Sequence, residues 1–367
     1  MKNNTQLMRR NDGIDFLRGI CILTVILLHC AIHIPFNHSI MPQWLFNIIF
    51  KSGYYGVIIF FVISGFLITL HCLQRWGALS NIHVRKFYLM RFARIIPFLL
   101  VLLAIFSVLD ILHVNFFTIK NTTLLRALFT ALTFHINYFE AKVIHGYLPG
   151  GWDVLWTLSI EEVFYLFFPV TCLLFGKPRY FIPLMILFMI ISPFSRTFSH
   201  PEMWKDYSYF SGVGDIAIGC LAALFSYHVK INKKLFSLFL IVGLFLFSLI
   251  FIFRHIAYVL GLTTMNINVT LLTISTACLL IAMQEWYSNR QHQGYFLLKP
   301  IRFFGKNSYE IYLTHVIIIL LVSNITLHST EQIFIAYAAI LIFCAIVGQG
   351  ASYYFSEPTN HWIRSKF

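Results

Sequence analysis

The sequence predicts an all-α polytopic membrane bundle of about ten transmembrane helices, and three observations carry that reading. The 367-residue chain is 59% hydrophobic and only 11% charged, against about 25% charged residues in an ordinary soluble domain. Apolar runs of ~17–25 residues recur along its length, each enough to cross ~30 Å of hydrocarbon as a helix. Basic residues cluster in alternate connectors, the pattern by which Lys and Arg set topology.

The spans read at 14–34, 53–73, 93–113, 153–175, 180–197, 211–228, 235–253, 269–287, 308–328 and 332–354. With the N-terminus placed inside, the inner segments hold Lys2, Arg9, Arg10, Arg18, Arg75, Arg85, Lys86, Arg91, Arg94, Lys177, Arg179, Lys230, Lys233, Lys234, Arg290, Lys299, Arg302, Lys306, Arg364 and Lys366. These are 20 of the 27 basic residues, which predicts an even number of spans with both termini cytoplasmic. The net charge of +13 therefore reports orientation and contact with the anionic headgroups of a lipid bilayer, and gives no argument for nucleic acid. The connector 114–151 contains LLRALFTALTFHINYF, with room for a short interfacial or re-entrant helix. No small-residue cleavage site follows the first span, so a retained helix is expected rather than a signal peptide. All seven cysteines fall inside spans without metal-ligand spacing, which predicts small apolar core residues and no metal site. A single membrane domain over 1–367 is expected.

Polar residues inside apolar spans point to function, because a charge at the bilayer centre costs at least ~2.5–3.5 kcal/mol. Glu161 and Glu162 interrupt WDVLWTLSIEEVFYLFFPVTCLLF, where Leu or Val would satisfy packing. In the first span Arg18 and His29 are eleven residues apart, hence on nearly the same helix face and ~16 Å apart along the axis. Depth counted from the span ends brings His29 and the Glu pair within one or two helical turns of each other. A carboxylate beside a buried imidazole would orient it as a general base. Arg91 and Arg94, three apart in VRKFYLMRFARIIPFLL, share a face near the expected start of the third span, with Pro97 in its first turn. Paired guanidiniums there suit a phosphate, although Arg18 and this pair also fit topological anchoring.

Lesser candidates follow. Trp152 and Trp156 flank the outer entry of the fourth span, as an interfacial belt or as sugar-stacking platforms. Asp153 caps that span or lines an acceptor entry. His315 in SYEIYLTH lines a cavity or sits in the core. Asp215 in SGVGDIAIGC is a further intramembrane acid of the cavity, Ser64-Gly65 permits close packing, and Glu357 beside Pro358 ends the last span.

These residues fall in blocks that resemble the acyltransferase-3 family of integral membrane acyltransferases: GIDFLRGICILTVILLH, GVIIFFVISGFLIT, FYLMRFARIIP, WDVLWTLSIEEVFYLFFP, NSYEIYLTHV and FSEPTNHWI, in the family's order. Family members often carry Asp after the Gly-Val of the second block, where this chain has Ile58. The resemblance implies an O-acyltransferase acting on carbohydrate in a bacterial inner membrane, without a C-terminal esterase-like domain. It matches Arg18 and His29 to an essential first-helix pair, Arg91 and Arg94 to an arginine pair near the acyl donor, and Glu161 and Glu162 to a central acidic pair. The implied donor is cytoplasmic acetyl-CoA. The implied acceptor is a hydroxyl of an extracytoplasmic carbohydrate such as O-antigen lipopolysaccharide, another surface polysaccharide or a glycolipid. His29 serves either as base for direct transfer or as acyl carrier. A transporter or flippase for a lipid-linked sugar is the other class with ten spans and buried His, Glu and Arg, but no inverted repeat is visible. The arginines also cluster on the inner side, as a cytoplasmic phosphorylated donor requires.

Overall fold

A computed structural model of the chain describes residues 10–37, 40–142, 146–198, 204–264, 266–289 and 296–366. Lys2, Arg9 and Arg290 of the topology argument lie outside the described residues. The described chain is a helical bundle without strands. In order the helices are α1 (Asp12–His33), α2 (Gln43–Phe50), α3 (Gly53–Trp76), α4 (Val84–Ile111), α5 (Leu124–Leu132), α6 (Ile136–Lys142), α7 (Leu155–Phe175), α8 (Pro178–Phe198), α9 (Trp204–Tyr207), α10 (Tyr209–His228), α11 (Lys233–Phe247), α12 (Arg254–Val259), α13 (Ile267–Asn289), α14 (Lys299–Lys306), α15 (Ser308–Ser323), α16 (Thr330–Ala351) and α17 (Glu357–Ser365).

Nine of the described helical segments are long and apolar enough to span a membrane. The tenth, α15, has 16 residues and reaches only ~24 Å. Their starts follow local chemistry. The Asn11 side chain accepts from the N–H groups of Gly13 and Ile14 to open α1, with Asp12 and Asp15 in its first turn, where carboxylates complement the helix dipole. Asn232 and Ser329 cap α11 and α16 in the same way. The stretch LLRALFTALTFHINYF breaks into α5, capped by Thr123, and α6, and neither is long enough to span.

Two boundaries differ from expectation. Helix α4 begins at Val84, well before residue 93, so Arg91 and Arg94 lie within it and Pro97 is an interior residue. A mid-helix proline removes one backbone hydrogen bond. Glu357 does not end the last span either. A π-helical turn at Ser352–Ser356 carries α16 on into α17, which packs along α4 with Pro358 in its first turn.

Helix α3 is central: 78% of its most apolar stretch is buried, against 17% for α11, whose outward residues face lipid. Glycines set the closest approaches. A Cβ on Gly65 would stand 1.9 Å from the carbonyl oxygen of Ile216, and one on Gly219 would stand 2.0 Å from that of Val62. The helices α3 and α10 therefore touch backbone to backbone at two matching points, as small residues allow in membranes. Packing of α3 against α10, of α1 against α3, α14 and α15, and of α7 across α3 and α4 leaves an enclosed space among α1, α3, α4, α7 and α15. All seven cysteines are buried and none forms a disulfide.

Candidate active site

That space is a cavity of about 950 Å³ including its mouth. Helix α1 contributes Arg18, α3 contributes Ser64 and His71, and α4 contributes Arg91 and Arg94. Helix α7 adds Thr157, Glu161, Glu162 and Tyr165, and α15 adds Tyr309 and Tyr312. Val57, Phe60, Phe61, Leu67 and Leu313 supply apolar wall. Six of the residues singled out in the sequence, Arg18, Ser64, Arg91, Arg94, Glu161 and Glu162, thus meet in one place, although they come from four helices.

Local contacts fix the polar groups. The Ser64 hydroxyl donates to Glu161 Oε1 at 2.8 Å, while Glu162 has a buried carboxylate oxygen with no partner. The Arg91 guanidinium lies 4.3 Å from the centre of the Tyr165 ring, a cation–π contact that holds it against the wall. Glu161 lies within electrostatic reach of Arg91, Arg18 and Arg94. None of the three arginines is in an ion pair among the described residues. The cavity therefore presents guanidinium donors free to take an anion, with the carboxylates deeper along α7.

His29 does not line this cavity. Its ring stacks on His33 at 6.1 Å and meets His315 edge-on at 5.2 Å. The expectation that the Glu pair would orient His29 is corrected here, since the ring neighbours of His29 are histidines and Glu161 is taken by Ser64. Of the two places the sequence left open for His315, the residue takes the core and not the cavity lining. It is fully buried behind Tyr312, with Nδ1 2.6 Å from the Tyr312 carbonyl oxygen. A carbonyl only accepts, so His315 Nδ1 carries the proton and Nε2 holds a lone pair. That Nε2 and His29 Nδ1 are both buried without a hydrogen-bond partner, two unsatisfied groups that call for a ligand, a water or each other. His33, four residues after His29 on the same face, was legible by that spacing yet was not singled out. Among the described residues no group of three or more His, Cys, Asp or Glu is placed to hold a metal ion.

Tyr312 joins the two regions. Its hydroxyl accepts from Thr157 at 2.9 Å, it lines the cavity, and its ring lies 5.5 Å from that of His315. Beyond it, Asp153 lies within electrostatic reach of His33 and accepts from the Tyr207 hydroxyl at 2.8 Å. Burial and this carboxylate push the Tyr207 hydroxyl pKa well above its usual value. Glu140 of α6 accepts from the N–H of Leu148 at 2.7 Å and of Tyr147 at 3.3 Å, tying down the segment that leads into α7, and burial pushes its carboxyl up to about 7.

The tryptophans need correction as sugar platforms. Trp152 is 1% exposed and packs on Phe106 at 5.0 Å, so it offers no face to a ligand. Trp156 is 7% exposed and stacks on Tyr207 at 4.5 Å. Asp215 likewise does not belong to the cavity. Its carboxylate receives both terminal nitrogens of Arg196, at 2.6 and 3.3 Å, deep between α8 and α10.

The site thus joins a cavity lined by guanidiniums that are in no ion pair among the described residues to a tyrosine with buried imidazoles behind it. The family model described as "Acyltransferase domain" matches residues 11–349, and the chain belongs to this acyltransferase-3 family of integral membrane proteins. It is similar to a putative O-acetyltransferase of Staphylococcus aureus strain MSSA476, 34% identical over 182 residues that cover 47% of this chain and 27% of the relative. It is 27% identical to the peptidoglycan O-acetyltransferase OatA of Listeria monocytogenes over 89% of this chain and 52% of that protein. It is 26% identical to the O-acetyltransferase OatA of Staphylococcus aureus strain NCTC 8325 over 90% of this chain and 54% of that one. The chain therefore spans about half the length of the OatA proteins. No solved structure matches it.

Proposed function

We propose that the protein is an O-acetyltransferase that takes acetyl from cytoplasmic acetyl-CoA and delivers it to a hydroxyl of an extracytoplasmic carbohydrate. The observation that carries this reading is the cavity in which Arg18, Arg91, Arg94 and Glu161 meet Tyr312, whose ring neighbours that of His315, itself beside His29. The arginines hold the phosphates of the donor, and the apolar wall takes its pantetheine arm. The thioester then arrives near Tyr312. As the acceptor oxygen attacks the thioester carbonyl, His29 accepts the hydroxyl proton, the C–S bond breaks, and the proton passes to the departing thiolate. His315 positions His29: its fixed tautomer leaves Nε2 able to accept from His29 Nδ1–H, so that His29 Nε2 is the basic nitrogen. Acylation of His29 followed by transfer to the hydroxyl balances equally well. The acceptor is a cell-envelope glycan, whether O-antigen, another surface polysaccharide or the peptidoglycan on which relatives are named to act.

Incubating membranes with radiolabelled acetyl-CoA and identifying the labelled glycan tests the reading. Label found only in unreacted acetyl-CoA and free acetate would contradict it. The donor arginines make a separate prediction. A hydrogen bond to a charged group contributes about 1.5–3 kcal/mol, so Arg91→Ala and Arg94→Ala should each raise KM for acetyl-CoA about tenfold to a hundredfold. KM for the acceptor should stay within about twofold. Unchanged donor KM in both variants would leave the arginines as topological anchors.

A further inference from the structure

His71, Arg75 and Arg364 have no part in the transfer step proposed above. His71 and Arg75 lie four apart on α3, hence on one face, and His71 lines the cavity. The Arg75 side chain reaches across to the sulfur of Met90 on α4, beside Arg91. From the other side, α17 packs along α4 and brings Arg364 within electrostatic reach of Arg94, Arg75 and Arg91. His71 lies within reach of Arg91, Arg94, Arg75 and Arg364. Four arginines and an imidazole thus converge from three helices. None of the four arginines is in an ion pair among the described residues.

Such a gathering of like charge opposes itself unless an anion completes it, and guanidiniums match phosphate geometry. Anchoring alone would spread the charges along the interface and would not draw Arg364 from the far end of the chain onto α4. The extent of the cluster matters too. Arg18, Arg91 and Arg94 line the cavity, whereas Arg75 and Arg364 lie outside its lining and join it through His71, Arg91 and Arg94. A single diphosphate occupies one of these places.

We propose that His71, Arg75 and Arg364 form a second anion subsite that binds a terminal phosphate monoester, in the donor the 3′-phosphate of CoA, while Arg18, Arg91 and Arg94 hold the diphosphate. The proposal rests on the acyl-CoA reading given above and adds to it a means of selecting the donor. A phosphate monoester carries about −1.5 to −2 charge at pH 7 and three acceptor oxygens, which suits two guanidiniums and an imidazole. An anionic lipid headgroup offers similar chemistry at a membrane surface, so the test must separate the two sources.

The full chain is reconstituted in nanodiscs of phosphatidylcholine alone, or with added phosphatidylglycerol, and transfer is measured with acetyl-CoA and with 3′-dephospho-acetyl-CoA. The expected result is a KM for the dephospho donor about tenfold to a hundredfold above that for acetyl-CoA. In Arg75→Ala and Arg364→Ala the two KM values converge, Arg364→Lys restores part of the preference, and Arg91→Ala raises both. Anionic lipid leaves the preference in place. Equal KM values for the two donors in the unaltered protein would overturn the subsite while leaving the acyl-CoA reading intact. So would variants that raise both values in parallel, or a preference that vanishes with anionic lipid, which would assign the cluster to a headgroup. Transfer from neither donor would overturn the acyl-CoA reading and the subsite with it.

Discussion

His29→Ala is expected to lower acetyl transfer by about a hundredfold to ten thousandfold, the usual contribution of a positioned acid–base group. The imidazole is deep in α1, has a buried nitrogen without a partner, and faces the His315 ring, whose tautomer a backbone carbonyl fixes. Its ring neighbours are His33, on the Asp153 side, and His315, whose protonated Nδ1 is held by the Tyr312 carbonyl oxygen. The substitution removes a partly buried ring and its contacts with the His33 and His315 rings, so the variant should still insert and purify as a monodisperse species. Rate measurements on purified protein at saturating donor, with a size-exclusion profile as control, decide it. Activity within tenfold of the unaltered enzyme would remove His29 from the chemistry. His315→Gln should act more weakly and should shift the pH profile of kcat, because it perturbs the tautomer of His29 and leaves the base itself in place. A purely structural His315 would lower the yield of folded protein and leave that profile unmoved.

The second large effect concerns stability. Arg196 is 2% exposed and gives both terminal nitrogens to Asp215, with further bonds to the Ser192 hydroxyl and the Ser211 carbonyl. Removing one partner of a buried ion pair leaves a charge with neither water nor counterion, at a cost of about 3–5 kcal/mol. Asp215→Ala should therefore lower the thermal unfolding midpoint in detergent sharply, and Asp215→Asn by less, since an amide oxygen still accepts from the guanidinium. Replacing both residues, as Arg196→Met with Asp215→Leu, should recover much of the loss. Because the pair lies outside the cavity, whatever protein folds should keep the donor KM of the unaltered enzyme. A double variant as unstable as Asp215→Ala would contradict the charge-compensation argument.

The helices were legible because membrane physics is local: a run of apolar residues must satisfy its own backbone, and each expected span corresponds to a helix. The charged lining of the cavity was largely legible too, since Arg18, Arg91, Arg94, Glu161 and Glu162 are charges that apolar surroundings penalise. Partnership was the part that sequence could not supply. Equal depth placed Glu161 beside His29, but depth carries no azimuth, and α7 turns Glu161 toward Ser64. Asp215 looked the same in sequence as the cavity acids, and Arg196 nineteen residues earlier is what sets it apart. Trp152 and Trp156 fell where an interfacial belt is expected, yet Phe106 and Tyr207 cover them. Arg364 could not be connected to the site at all, because a π-helical turn after α16 is what returns α17 to α4.

The central claim is that donor and acceptor reach one site from opposite faces of the membrane, along the route from the arginines to His29. The measurement that meets it most directly uses sealed vesicles of known orientation, with acetyl-CoA confined to one side and the acceptor glycan to the other. Acetate should appear on glycan at the outer face only when acetyl-CoA is supplied at the cytoplasmic face. Transfer that proceeds equally well with both substrates confined to the cytoplasmic side, or from acetyl-CoA supplied only outside, would contradict that arrangement.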